Sequence, residues 1–267
     1  DAGREMWVRV PCTGPLGPVG RFGLSMVEMA SGRLDDGMAR LHKPSSEAPE
    51  RTAGQAKVRR VLGGALLEKK DWTGAIAAYT RAMELDRKLG TVDWALLSMR
   101  ATVYYEAGDW AHARADARAA LAYAPDEPSL LNFLGYSMTE RHENLPEAEE
   151  LLRKAHRLAP EEAAITDSLG WVRIERGDVS GGLAMLEKAV QQIPEDPEVN
   201  YHLGEAYWRL GRRTEAIDQW NMALGLHPTP SDEALIRAAL ARADLTPQIR
   251  PDEKKSDQNT QKGEKAQ

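Results

Sequence analysis

Six histidines are the side chains of this chain best suited to moving a proton or holding a metal near neutral pH: His42, His112, His142, His156, His202 and His227. Hydrolytic or metal chemistry would need some of them to converge with an acid, a nucleophile or further ligands. None falls in an HExxH pair or beside a cysteine ligand. The single cysteine, Cys12, permits neither an intramolecular disulfide nor a thiolate zinc site. There is no Gly-Lys-Ser/Thr phosphate loop and no GxSxG elbow. The carboxylate runs Glu147-Ala148-Glu149-Glu150 and Glu161-Glu162 stand near expected helix starts, where negative charge offsets the helix dipole. They read as solvated faces rather than paired acids. His202 reads as a surface or partner-contact residue at the edge of a binding face. The residues therefore point to recognition, and no catalytic residue, metal ligand or cofactor is expected.

Charge and hydropathy narrow the partners. The net charge is -6, the pI is about 5.6 and the mean hydropathy is -0.52. A protein that grips phosphates usually carries a basic field, so nucleic acid is not expected. No apolar stretch reaches the length of a membrane span. No secretory leader is recognised, and Arg9, Val10 and Pro11 before Cys12 do not make a lipid-attachment pattern. Asp1 rather than Met opens the sequence, as it would if a leading segment had been removed or left out.

The elements that must position any binding residue are announced by a period. Ala82, Ala120, Ala155, Ala189 and Ala223 recur at 38, 35, 34 and 34 residues. Pro125, Pro160, Pro194 and Pro228 follow four of them at a fixed offset. Leu62-Gly63, Leu134-Gly135, Leu169-Gly170 and Leu203-Gly204 lie between. Such a period marks one supersecondary unit copied and stacked, which presents a long surface to a partner. Each unit reads as two helices. The second has an Ala-x3-large-x2-Ala face, as in Ala75/Tyr79/Ala82, Ala148/Leu152/Ala155 and Ala216/Trp220/Ala223, whose spacing puts all three on one side. Turns fall at Lys70-Asp71, Gly108-Asp109, Glu143-Asn144, Gly177-Asp178 and Gly211-Arg212. Residues 1–53 read as an irregular segment with a degenerate repeat at 18–43. An amphipathic helix at 232–244 reads as a cap, and the polar residues 246–267 read as a disordered tail.

These residues resemble the tetratricopeptide repeat, or TPR, whose signature runs Trp-x2-Leu-Gly-x2-Tyr, Ala-x3-Phe, Pro. Five units match: 56–89, 94–127, 128–162, 163–196 and 197–230. The last is cleanest, with Leu203-Gly204, Tyr207, Ala216, Trp220, Ala223 and Pro228. Arg100-Ala101 in place of Leu-Gly, Arg87 in place of proline and Gly182 in place of alanine are departures. The resemblance implies an all-α fold: a right-handed superhelical solenoid of helix-turn-helix units with a C-terminal capping helix. Asn132-Phe-Leu-Gly-Tyr-Ser, Asn144-Leu-Pro-Glu-Ala, Asp167-Ser-Leu-Gly-Trp-Val and His202-Leu-Gly-Glu-Ala-Tyr-Trp-Arg also resemble the C-terminal repeats of Gram-negative cell-envelope TPR proteins. Some of those are lipoprotein adaptors for carboxyl-terminal processing proteases. That likeness implies a periplasmic scaffold, although nothing in the residues themselves opposes a cytoplasmic one.

In the TPR family the fifth, ninth and twelfth residues of the first helix tend to line the concave groove. The positions that match are Arg60, Gly64 and Leu67; Ser98, Thr102 and Tyr105; Asn132, Tyr136 and Thr139; Asp167, Trp171 and Ile174; Tyr201, Glu205 and Trp208. The resemblance thus implies a partner-binding groove at Tyr105, Asn132, Tyr136, Asp167, Trp171, Tyr201, Glu205 and Trp208, for a protein or peptide ligand. Trp and Tyr are the types most enriched in binding hot spots. Trp171 and Trp208 are expected to be solvent-accessible, while Trp72, Trp110 and Trp220 are expected to pack. The chaperone-tail clamp of some family members is not matched, because Lys57 and Arg60 lie two units from Asn132. The competing reading is a structural assembly subunit that self-associates or bridges envelope components.

Overall fold

The computed structural model describes residues 53–244 together with Leu24, Ser25, Glu28, Asp36, Gly37 and Ala39. The readings of residues 1–52, including most of the degenerate repeat, and of the tail 246–267 lie outside the described residues. From residue 53 onward the described residues form eleven helices and no strand: α1 Ala53–Glu68, α2 Trp72–Lys88, α3 Trp94–Glu106, α4 Trp110–Tyr123, α5 Pro128–Glu140, α6 Leu145–Leu158, α7 Ala163–Glu175, α8 Val179–Gln192, α9 Pro197–Arg209, α10 Arg213–Gly225 and α11 Pro230–Asp244. Contacts divide the chain into two compact units, Asp1–Leu134 and Gly135–Gln267, with the boundary inside α5.

Within each unit the helices pack in sequence. In the first, α1 packs on α2, α2 on α3 and α3 on α4. In the second, α6 packs on α7, α7 on α8, α8 on α9 and α9 on α10; α11 then covers α10 and α9 as a further first helix would. The five periodic alanines are completely buried, at 0% exposure. Their carbonyls also explain the prolines. Ala124, Ala159 and Ile193 end α4, α6 and α8 with ψ of 71°, 69° and 66°, outside the α region, each donating its N–H to Ala120, Ala155 or Ala189. That backbone is what the following proline imposes. Where Arg87 replaces the proline, α2 continues to 17 residues, against 14 in α4, α6 and α8.

The other departures have local causes. A side chain on Gly182 would stand 2.6 Å from the Gly170 carbonyl and 2.7 Å from Ile174, so α7 and α8 touch backbone to backbone there. Arg100 lies under α2 and α4. Its Nε and Nη2 donate to Asp116 at 2.7 and 2.9 Å, and its Nη1 donates to Thr80 at 2.8 Å. A bidentate ion pair thus stands where the repeat usually has an apolar contact. The turns between paired helices need a left-handed residue. Gly108, Gly177 and Gly211 supply it at φ of 80°, 93° and 76°, whereas Lys70 and His142 adopt it as non-glycines at 59° and 49°.

Candidate partner-binding face

The second unit concentrates the candidate residues on its first helices. His202, on α9, is only 2% exposed. Its ring stacks on Trp171 of α7 at 4.4 Å and 14°. Its Nδ1 lies 2.9 Å from Asp167 Oδ2, also on α7. Burial works against the imidazolium, but the charge and hydrogen bond of Asp167, with Glu198 and Glu140, outweigh it and push His202 up to about 9. The tyrosines feel the same environment. Burial, Glu198 and Glu140 drive Tyr136 far above its ordinary value, and burial with Glu205 pushes Tyr201 up to about 12. Burial likewise raises Glu198.

Bonds among α5, α7, α9 and α11 tie this set together. Tyr136 donates its hydroxyl to Glu198, two repeats further along the sequence. Trp171 Nε1 donates to Glu140 at 2.8 Å. Arg209 bonds Glu175, and its Nη1 also donates to the Ile174 carbonyl at 3.0 Å. Arg242 of α11 donates to Glu205 at 2.6 Å. Trp208 lies 5.6 Å from Trp220, with the Arg213 and Arg242 guanidiniums 5.3 and 5.2 Å from its ring.

Several expectations need correction. Trp171 is 7% exposed, not solvent-accessible, because His202 stacks on its ring, the Arg209 guanidinium lies 5.5 Å from the ring centre and Glu140 takes its N–H. Asp167 and Glu205 are also buried, paired with His202 and Arg242 rather than held open for a protein or peptide ligand. His202 is not a surface histidine. Glu149 is not part of a solvated face, since Arg153, Arg173 and Arg176 enclose it. Tyr136, Tyr201 and Trp208 remain half-buried. Trp220 is wholly buried and Trp110 nearly so, while Trp72 is half-buried against the α1–α2 core.

The first unit holds Tyr105 and Asn132. Tyr105 meets Trp110 and Phe133 edge-on at 6.1 and 5.8 Å. Asn132 is half-buried, and its Oδ1 is shielded without a hydrogen-bond partner among the described residues. A cleft of about 360 Å³ opens between α1 and the α2–α3 connection, where Arg60 pairs with Asp93 beside Lys57 and Trp94.

The sequence placed His202 at the edge of the binding face but gave no sign of its burial, and it did not single out Glu140, Glu175, Glu198, Arg209 or Arg242. A signal existed: Glu140, Glu175 and Arg209 each close a first helix, 35 and 34 residues apart. Chemically the site can recognise but is poorly suited to general-base work. His202 is sealed and protonated at neutral pH, so it has no lone pair to offer a substrate. Among the described residues no group of three His, Cys, Asp or Glu is placed to hold a metal. No helix of the described residues is long and apolar enough to cross a membrane.

Two tetratricopeptide-repeat family models match, over residues 98–163 and 173–243, together about half of the chain. The chain is a tetratricopeptide-repeat protein. It is 33% identical over 180 residues to the TPR repeat-containing protein PA4667 of Pseudomonas aeruginosa. That match takes in 67% of this chain but spans only 29% of the relative's length. A tetratricopeptide repeat protein of Parabacteroides merdae superposes with a TM-score of 0.69 at 16% identity, over 85% of this chain and 86% of that one. TTC0263, a thermophilic TPR protein of Thermus thermophilus, does so with a TM-score of 0.57 at 23% identity, over 70% of this chain and 99% of that one. At these identities the structural likenesses carry the fold alone. The TPR array of this chain is all-α, and proteins built this way commonly serve as interaction scaffolds.

Proposed function

We propose that this chain is a non-catalytic interaction scaffold whose second unit receives a partner polypeptide on the first-helix face around Tyr136, Tyr201 and Trp208. The observation that carries this reading is preorganisation. Tyr136 is fixed through Glu198, and Trp208 is held between Trp220 and two guanidiniums. Aromatic surface held in one arrangement loses little conformational freedom on binding. Tyr105 and Asn132 are proposed to contribute in the first unit, while Asp167, Trp171 and Glu205 act beneath the contact surface by holding it in shape. The narrower reading is an envelope adaptor that delivers substrates to a carboxyl-terminal processing protease. It rests on the motif likeness of the later repeats.

Affinity capture with the wild type and with Tyr201→Ala/Trp208→Ala tests the proposal, with circular dichroism to show that both fold. A partner held by the wild type and lost from the folded variant is the expected result. Equal retention by both overturns the face assignment. A stable oligomer in light scattering with no other chain retained favours the assembly-subunit reading instead.

A further inference from the structure

A second charged surface lies elsewhere on the second unit. Glu149 of α6 has a side chain only 7% exposed, and three guanidiniums converge on it. Arg153 comes from α6 itself and Arg173 from α7, with its Nε at 3.7 Å, while Arg176 comes from the residue that ends α7. Their side chains are 50%, 27% and 39% exposed, so the cluster reaches the surface. Each guanidinium carries five N–H donors, whereas one carboxylate offers about four acceptor sites. Glu149 alone cannot satisfy all of these donors, which leaves some for water, backbone carbonyls or another anion. His156 of α6 borders the same region, 3.4 Å from the Thr166 hydroxyl. Burial, then the charges of Lys188 and Arg173, hold it below its ordinary value, with Glu161 acting the other way. Arg173 of α7 and the exposed Lys188 of α8 thus both bear on the same stretch of α6.

We propose that the Arg153/Arg173/Arg176/Lys188 surface docks an acidic segment of a protein partner, whose carboxylates extend the guanidinium network begun by Glu149. Two observations favour carboxylates on a short segment. The resident anion at the centre is itself a carboxylate, so the cluster already accepts that geometry. The chain as a whole carries -6, which opposes a long uniform polyanion such as duplex DNA while leaving a local basic patch effective. This cluster shares no residue with the Tyr136, Tyr201 and Trp208 set, so its test is independent of that face.

The test is fluorescence anisotropy with a labelled hexaglutamate peptide at low ionic strength. The expected result is saturable binding that weakens with added salt. Binding should fall about tenfold or more in Arg153→Gln/Lys188→Gln, and stay unchanged in Arg237→Gln, whose charge lies on α11. Arg153 and Lys188 are exposed, so matching thermal melts are expected for the variant. Absence of saturable binding, or equal loss in the Arg237 control, overturns the proposal. Competition by inorganic phosphate or duplex DNA at equal charge concentration also overturns it, leaving only a general anion patch.

Discussion

A histidine with almost no exposed surface ordinarily gives up its charge. His202 keeps its charge because Asp167 faces it from α7 while Glu140 and Glu198 add to the field from α5 and α9. The consequence for stability has a definite sign. The unfolded imidazole titrates near 6.5 and the folded one at about 9, so the folded state binds the proton more tightly. The extra stability is fully present below pH 6.5 and is lost as pH rises through 9. At roughly 1.4 kcal/mol per pKa unit this is on the order of 3 kcal/mol. Chemical denaturation of the wild type should therefore show declining stability between pH 6.5 and 9. His202→Gln should be less stable at pH 6.5 and lose most of that slope. A wild-type profile flat across the window would mean that His202 is not charged in the fold. This pair was not legible in the sequence. Asp167 and His202 stand 35 residues apart, and only the stacking of α7 on α9 brings them together.

At the scale of the helices, most of the fold was legible, since the repeat is written in residues that act locally. Asp71, Asp93, Asp109, Asp178 and Asp196 each accept backbone N–H groups at the start of the next helix. Asp196 accepts two, from Glu198 and Val199. Asp196→Ala should cost about 1 kcal/mol in thermal or urea unfolding. Close approach explains the Leu-Gly pairs. A side chain on Gly204 would meet Trp220 Nε1 at 2.4 Å, whereas one on Gly225 would meet nothing within 4 Å. Gly204→Ala should lower stability by roughly 1–3 kcal/mol through overpacking. Gly225→Ala should leave it unchanged or raise it by up to about 1 kcal/mol. If the two variants melt alike, the close packing of α9 on α10 is not what fixes that glycine. What the repeat pattern could not show was which aromatics stay open. Trp171 and Trp208 occupy lining positions in neighbouring repeats, yet one is sealed by a histidine that the family pattern does not specify.

At the scale of the whole chain, each helix pair within a unit rests on its immediate neighbours, so damage should stay local. Ile236 of α11 is fully buried against the Trp220 cluster. Ile236→Ala should cost about 2–4 kcal/mol and raise amide exchange first in α9, α10 and α11. Uniform loss of protection across α1–α4 as well would show the chain to unfold as one cooperative body. The central claim, that the first-helix face receives a partner, is tested most directly by site-specific photo-crosslinking. A photoreactive residue is placed at Tyr201 on α9 or, as a control, at Met222, which is 56% exposed on α10. Crosslinks to one partner polypeptide from position 201 and none from 222 are the expected result. Crosslinks from 222 alone, or the same products from both, would contradict the claim.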